Sequence, residues 1–126
     1  SARKFQESEG RVMAGNYAFI LDQGATWDTQ MTWKIGGTPV NLTGYTARMQ
    51  ARSTVDATTT IFSWTSGGGQ LVLGGALGTI TLAVADSVTA TYPAGTYVYD
   101  LELESGGGET TRLLQGTFTI VAEVTR

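Results

Sequence analysis

The chain has 126 residues, no cysteine and no histidine, and its 11 acidic and 8 basic residues give a formal net charge of −3. This length fits one domain, and the abundance of Thr, Val, Ile, Tyr and Gly favours strands over helices. The net negative charge argues against a nucleic-acid binder, which normally carries a basic surface. No apolar run in the sequence is long enough to span a bilayer. Without cysteine and histidine the chain has no disulfide and lacks the usual zinc ligands. We therefore expect no nucleic-acid partner, no membrane insertion, no metal and no cofactor.

The first twelve residues differ from the rest of the chain. They are rich in charged residues and poor in apolar ones, and Met13 follows them. We divide the sequence into an N-terminal extension or arm, residues 1–12, and a β-sandwich domain, residues 13–126. One interpretation makes Met13 the natural start, so that the extension is upstream or non-native sequence. The other interpretation makes it an arm that a neighbouring chain holds in place.

Period-two alternation predicts the strands of the first half of the domain. A short apolar run predicts a first strand over residues 17–21, and a clear alternation predicts a second over 27–35. A Gly-Gly turn at 36–37 and a loop or edge segment at 38–39 lead to a third strand over 45–52. The residues expected to face the core are Trp27, Thr29, Met31, Trp33 and Ile35 in the second strand, and Tyr45, Ala47, Met49 and Ala51 in the third.

Glycine-rich segments separate the predicted strands in the middle of the chain. We expect a strand at a sheet edge over residues 58–64, a glycine-rich loop over 66–69 and a strand over 78–84 with Ile80 and Leu82 inward. Residues 86–90 are predicted to form one helical turn, with Asp86 as its N-cap.

The C-terminal part contains the most regular alternation in the sequence. Tyr97, Tyr99, Leu101 and Leu103 share one face of a predicted strand, and Val98, Asp100, Glu102 and Glu104 share the other. A hairpin tip at 105–108 leads to a long last strand over 110–125, in which Gly116 is expected to mark a bulge or a close approach of backbone. These elements predict an all-β, two-sheet antiparallel sandwich.

The approach to this strand, Gly95-x-Tyr97, resembles the corner that opens strand F of immunoglobulin-like sandwiches. The resemblance implies that Tyr97 is a structural tyrosine corner, with its hydroxyl bonded back to the preceding chain. It also places Tyr99 at the position that antibody domains give to cysteine. The expected fold class is therefore an immunoglobulin-like sandwich of about 7–9 strands.

A row of carboxylates is the first candidate for chemistry. Asp100, Glu102 and Glu104 project from one strand face, and paired carboxylates can hydrolyse glycosides or hold calcium. A solvated strand face uses the same residues, with arginines as cross-strand partners, and we favour that interpretation. The available arginines are Arg48, Arg52 and Arg112. With no histidine to activate a serine, we expect no catalytic residue and no enzymatic activity.

Two aromatic residues offer an alternative function. Phe62 and Trp64 share a face of a short predicted strand next to the glycine-rich loop. Packing in the core is the default for such residues, but an exposed pair could form a platform on which a sugar stacks. We therefore keep Phe62 and Trp64 as a candidate ligand-stacking site, and a carbohydrate-binding module as an alternative function.

Several segments spread along the chain together suggest a family. They are Pro39-Val40-Asn41-Leu42-Thr43-Gly44-Tyr45, Gly78-Thr79-Ile80-Thr81-Leu82, Gly95-x-Tyr97-x-Tyr99-Asp100 and Arg112-Leu113-Leu114-Gln115-Gly116. This series resembles small structural proteins of tailed phages and prophages, and the layout is similar to the immunoglobulin-like N-terminal domain of phage baseplate upper proteins.

The resemblance implies a non-enzymatic structural or assembly module of the virion, most simply a tail or baseplate adaptor. It also implies assembly in the cytoplasm of the bacterial host. The implied partners are other phage structural proteins and further copies of this chain in a homo-oligomer. A head decoration or completion protein is a second alternative beside the carbohydrate-binding module.

Overall fold

Two packed sheets contain most of the secondary structure. The computed structural model describes residues 2–4 and 15–124, with side chains from residue 15 onward. The strands are β1 (Ala2–Lys4), β2 (Gly15–Asn16), β3 (Phe19–Asp22), β4 (Trp27–Thr32), β5 (Lys34–Ile35), β6 (Thr38–Pro39), β7 (Thr46–Arg52), β8 (Phe62–Thr65), β9 (Leu71–Leu73), β10 (Thr79–Val84), β11 (Gly95–Glu104) and β12 (Thr110–Val121). A 3₁₀ turn, Gly75–Leu77, precedes β10, and the helix α1, Asp86–Thr89, precedes β11.

The first sheet has the order β1-β4-β10-β9, and the second has the order β2-β12-β11-β7-β8, with β3 also paired to β12. Strands β10 and β11 are consecutive but lie in different sheets, and α1 carries the crossover between them. This is the arrangement of the ABED and GFC sheets of an immunoglobulin-like sandwich, with β4, β10 and β9 as B, E and D and β7, β11 and β12 as C, F and G. The fold class predicted from the sequence is confirmed.

Most pairings are antiparallel, as predicted, but the chain's N-terminal strands pair in parallel. Strand β1 lies parallel to β4, and β2 and β3 lie parallel to β12. The boundary between the N-terminal extension, residues 1–12, and the domain, residues 13–126, lies outside the described residues. The part of the extension that the structure describes, β1, pairs with three residues of β4.

The core lies between the two sheets and is filled by the predicted inward faces. Met31, Met49, Leu101 and Leu103 are each fully buried, which is the result expected when successive side chains alternate between core and solvent. An aromatic cluster occupies the centre, and Phe118 contacts five rings there. These rings belong to Phe19, Trp27, Phe62, Trp64 and Tyr99.

Three local expectations need correction. The N-cap of α1 is Ala85 and not Asp86, which lies in the first turn, and no side chain caps the helix. The edge strand predicted over 58–64 is the shorter β8, although β8 does lie at an edge of the second sheet. The last strand ends at Val121, whose carbonyl accepts from the N–H of Gln23, while the N–H of Glu123 donates to the Gln23 side chain.

Gly116 lies at a close approach of backbone, as predicted. Its φ is +152°, and a Cβ atom built there would collide with the carbonyl group of Tyr17. The bulge in the same strand lies elsewhere: the register shifts between Leu101 and Glu102, so that Leu113 is the extra residue on β12. Glycine at 116 therefore allows the N-terminal edge segment to lie against β12.

Candidate interaction face on the second sheet

The outer face of the second sheet brings the charged residues of three strands together. Glu102 on β11 lies between Arg48 on β7 and Arg112 on β12, and Asp100 lies between Gln50 and Gln115. The antiparallel register therefore places each carboxylate beside a guanidinium or an amide. We call this surface the charged face; it is formed by the outward side chains of β7, of residues 98–104 in β11 and of residues 112–115 in β12.

The ion pairs of the charged face are open to solvent. Arg48 contacts Glu102 at 2.9 Å and Glu104 at 3.4 Å, and Arg112 contacts Asp100 at 3.6 Å and Glu102 at 4.0 Å. The hydrogen bond and charge of Glu102 raise the pKa of Arg48. Pairs as exposed as these contribute little to stability.

A depression of ≈ 370 Å³ opens on the charged face. Its lining combines two guanidiniums and one carboxylate with amide groups and two valines. The residues are Asn16, Gln50, Arg52, Val55, Val98, Tyr99, Asp100, Arg112, Gln115 and Gly116. Partial burial raises the pKa of Asp100, with the charge of Glu102 adding to the effect and the arginines opposing it.

Arg52 holds one wall of the depression in place. Its guanidinium donates to the carbonyl oxygen of Ala57 at 2.8 Å and to the side-chain oxygen of Gln50 at 3.0 Å. Within the described residues no carboxylate lies within 4.0 Å of it, whereas Arg48 and Arg112 are both ion-paired. The guanidinium of Arg52 is thus hydrogen-bonded to neutral oxygens, and its charge also acts on Asp100, which lines the same depression.

The carboxylates of the charged face have arginine partners. The carboxylates of β11 are matched with arginines on an open surface, and the described residues contain no group of three acidic side chains placed to hold a metal ion. Charged side chains that pair across strands on an open surface are the arrangement expected for a solvated strand face.

The two tyrosines singled out from the sequence have structural partners. The Tyr97 hydroxyl donates to the carbonyl oxygen of Pro93 at 2.7 Å, with that of Ala94 at 3.3 Å, which is the geometry of a tyrosine corner. The Tyr99 hydroxyl donates to the carbonyl oxygen of Tyr17 at 2.7 Å. Both side chains thus connect the first half of β11 to earlier segments of the chain, Tyr97 to the turn before the strand and Tyr99 to the segment between β2 and β3.

The ligand-stacking site predicted at Phe62 and Trp64 is wrong. The two rings stack on each other with centroids 3.7 Å apart, but they are only 4% and 2% exposed and face the core. The Trp64 indole N–H donates to the Tyr92 hydroxyl at 2.8 Å, so its polar atom is satisfied internally. The inward face of β8 is therefore part of the aromatic cluster and offers no surface to a sugar.

The sequence did not predict the depression or the role of Arg52 as its wall. Its partner Ala57 lies in the loop between β7 and β8, and Val55 in the same loop is 82% exposed. Alternation places Arg52 on the outer face of β7. It does not predict the contact with Ala57, because that contact depends on how the loop folds back toward the strand.

No protein-family model matches this sequence, and no curated protein matches it. Among solved structures, the N-terminal domain of phage TP901-1 ORF48 matches 97% of this chain and 94% of its own length, with 16% sequence identity and a TM-score of 0.50. The chain shares the fold of that phage domain. The resemblance to a phage protein seen in the sequence is thus confirmed at the level of the fold.

Two immunoglobulin-type structures are more distant. Murine CRIg matches 84% of this chain and 92% of its own length at 13% identity, with a TM-score of 0.36. Extracellular domains 3–5 of Drosophila OTK match 90% of this chain and 35% of their own length at 19% identity, with a TM-score of 0.35.

In the described part of the chain, no helix has the length and apolar character needed to cross a membrane.

Proposed function

We propose that this protein is a non-enzymatic structural module of a tailed-phage virion, acting as a tail or baseplate adaptor through protein–protein contacts. The observation that carries the proposal is the match to the N-terminal domain of phage TP901-1 ORF48 along nearly the whole of both chains. The match comes together with a surface suited to protein contacts. Its partners are other structural proteins of the phage, and it is located in the phage particle.

The charged face is the surface through which we expect the module to dock. It combines paired charges, which set orientation, with the guanidinium of Arg52, which has no carboxylate within 4.0 Å among the described residues. The valines at 55 and 98 add apolar area inside the same depression. A partner loop that carries a carboxylate next to an apolar residue matches this lining.

Co-expression with the proteins encoded next to this chain tests the proposal. Affinity purification should recover a complex with a tail-tip or baseplate protein, and electron microscopy should show it as a symmetric particle. Recovery of head-completion proteins instead would support a head decoration or completion role. Retention of no phage structural protein would contradict both roles.

A pair of variants tests the docking surface separately. Arg112→Glu reverses a charge on the charged face, and Gln30→Glu adds the same charge to the outer face of the first sheet. We expect Arg112→Glu to weaken the complex at least about tenfold, by raising the dissociation rate, and Gln30→Glu to leave it unchanged. Equal effects of the two variants would exclude the charged face as the contact.

A further inference from the structure

One long edge of the second sheet is unpaired in the described structure. Strand β3 pairs with β12 along Phe19–Asp22, and no described strand pairs with its other side. Edge strands present a row of N–H and C=O groups that can pair with another chain. Proteins commonly protect such edges with charged side chains, with bulges or by keeping the edge strand very short.

The hydrogen-bond register identifies which groups face outward. The N–H of Tyr17 donates to the carbonyl of Gln115 at 3.0 Å, and the N–H of Gln23 donates to that of Val121 at 2.9 Å. The pairs of β2 and of β3 keep the same offset against β12 on both sides of the break at residues 17–18. Within β3, residues of the same parity as Gln23 therefore direct their backbone groups toward β12. The N–H and C=O of Ile20 therefore point away from the sheet.

The side chains of this edge are mostly uncharged. Ile20 is 67% exposed, and Val121, 43% exposed, lies diagonally across from it on the same outer face. Thr117 and Thr119 complete that face on β12, and Asp22, at the end of β3, is the one charged residue of the strand. The charged face ends before this region, so the outer surface of the second sheet has a charged part and an apolar part.

A second copy of this chain fits the edge with two-fold symmetry. In an antiparallel pair centred on Ile20, the two Ile20 residues exchange both backbone hydrogen bonds and their side chains lie side by side on the outer face. The same register sets Asp22 opposite Ala18, so no like charges meet. The other edges fit less well: β1 and β9 have only three residues each, and the outward side chains of β8 are Ser63 and Thr65.

We propose that two copies of this protein associate through the β3 edge, with Ile20 of each copy beside Ile20 of the other on a two-fold axis. The two second sheets then form one continuous sheet across the dimer. The charged face of each copy remains accessible, so the dimer presents two docking surfaces related by the same axis. This inference goes beyond the proposed function, since the dimer can form whether or not the partner is a phage protein.

Analytical ultracentrifugation of the full chain over a concentration series tests the association. We expect the wild type to dimerise reversibly. Ile20→Lys brings one positive charge from each copy to the two-fold axis, so it should weaken the dimer at least about tenfold. Leu77→Lys is the matched control, because Leu77 is 69% exposed and lies in the 3₁₀ turn away from the edge. A wild type that stays monomeric at hundreds of micromolar would overturn the proposal.

Cross-linking provides a second measurement that does not depend on the lysine variant folding. The natural sequence contains no cysteine, so a single introduced cysteine reports one position. Opposed residues of a hydrogen-bonded antiparallel pair lie about 5.5 Å apart at Cα, which is within the range that a disulfide spans. Under mild oxidation Ile20→Cys should form a covalent dimer much faster than Leu77→Cys. Equal rates for the two variants would contradict pairing at β3.

Discussion

The hydroxyl of Tyr99 donates a 2.7 Å hydrogen bond to the backbone carbonyl of Tyr17, a residue 82 positions earlier in the chain. Tyr99 is buried on the inward face of β11, and Tyr17 lies between β2 and β3 at the sheet edge. The bond crosses over β12, where Gly116 leaves room for the carbonyl. One side chain thus links the centre of the second sheet to its edge.

Removing this hydroxyl should destabilise the fold. In Tyr99→Phe the ring keeps its aromatic contacts, but the carbonyl of Tyr17 loses its donor, so we expect a loss of about 1–2 kcal/mol in the free energy of unfolding. Urea unfolding followed by circular dichroism measures the loss. Tyr45→Phe is the control, because Tyr45 is only partly buried and its hydroxyl bonds to no described residue. Equal losses in the two variants would contradict a specific role for the bond.

Alkaline pH should weaken the fold through the same residue. Burial, with a smaller contribution from Tyr17, raises the pKa of Tyr99 far above its ordinary value of 10.0. The folded protein therefore keeps the phenol proton above pH 10 while the unfolded chain loses it, so stability falls as pH rises above 10. Urea unfolding between about pH 9 and 11 should show a shallower fall for Tyr99→Phe than for the wild type.

Burial also raises the pKa of Tyr92, against the opposing effect of the Trp64 hydrogen bond. Some alkaline sensitivity should therefore remain in Tyr99→Phe. Identical slopes in the wild type and this variant would show that Tyr99 does not carry the effect.

A methyl group at position 116 should be costly. The positive φ of Gly116 is unfavourable for alanine, and the new Cβ would collide with the backbone of Tyr17, which cannot move without breaking the contact to Tyr99. We expect Gly116→Ala to destabilise the protein by about 3 kcal/mol, from strain and overpacking together. Gly67→Ala is the control, because its φ is not positive and no atom lies within 4 Å of the added carbon. A Gly116→Ala protein as stable as this control would refute the close approach.

Replacing the carboxylate in the depression should slightly stabilise the protein at neutral pH. Burial raises the pKa of Asp100 above 3.8, so the folded state favours its protonated form and ionisation costs stability. Asp100→Asn removes that cost. Because the side chain is 41% exposed and also loses its contact with Arg112, the gain should be under about 0.5 kcal/mol.

The sign of this effect can be checked by pH. The gain should be present at pH 7 and should disappear as the pH falls below 3.8, where the wild-type carboxyl is protonated in both states. Thermal unfolding at a series of pH values measures it, and Glu109→Gln, at the exposed hairpin tip, is the control. A gain that grows toward low pH would mean that Asp100 is stabilised as a carboxylate.

Adding sugars should not change the tryptophan fluorescence. Trp64 is 2% exposed and Trp33 is 4% exposed, so neither indole can stack on a ligand without unfolding part of the core. Trp27 is partly buried, and its ring already packs against the rings of Phe19, Trp64 and Phe118. We expect blue-shifted emission and no change on titration with a panel of bacterial surface glycans. The red shift on unfolding in urea provides the positive control. A saturable spectral change with any glycan would restore the carbohydrate-binding alternative.

Alternation was sufficient to predict the two strands that form the centre of the second sheet. The faces of β7 and β11 follow from Ala47, Met49, Leu101 and Leu103, because one side of each strand packs in the core and the other meets water. The placement of Gly116 at a close approach also followed from its position among inward residues. These features depend on local pattern, which the sequence displays directly.

Features that depend on distant parts of the chain were not predictable in the same way. Alternation shows that Phe62 and Trp64 share a face but does not show which face, and Tyr92 and Phe118 cover that face only in the folded protein. The Asp86 cap failed because Ala85 already holds the extended conformation that precedes the first helical residue. The depression required the path of the loop after Arg52, which no periodicity describes.

The parallel pairing of β3 with β12 joins residues from opposite ends of the chain, as Phe19 lies beside Phe118. During synthesis β3 leaves the ribosome long before β12 is made, so this strand has no partner while the strands between them are synthesised. The second sheet can close only after β12 has been made. Any cellular factor that protects the nascent protein would therefore be needed most at β3, an apolar strand that is made early and covered late.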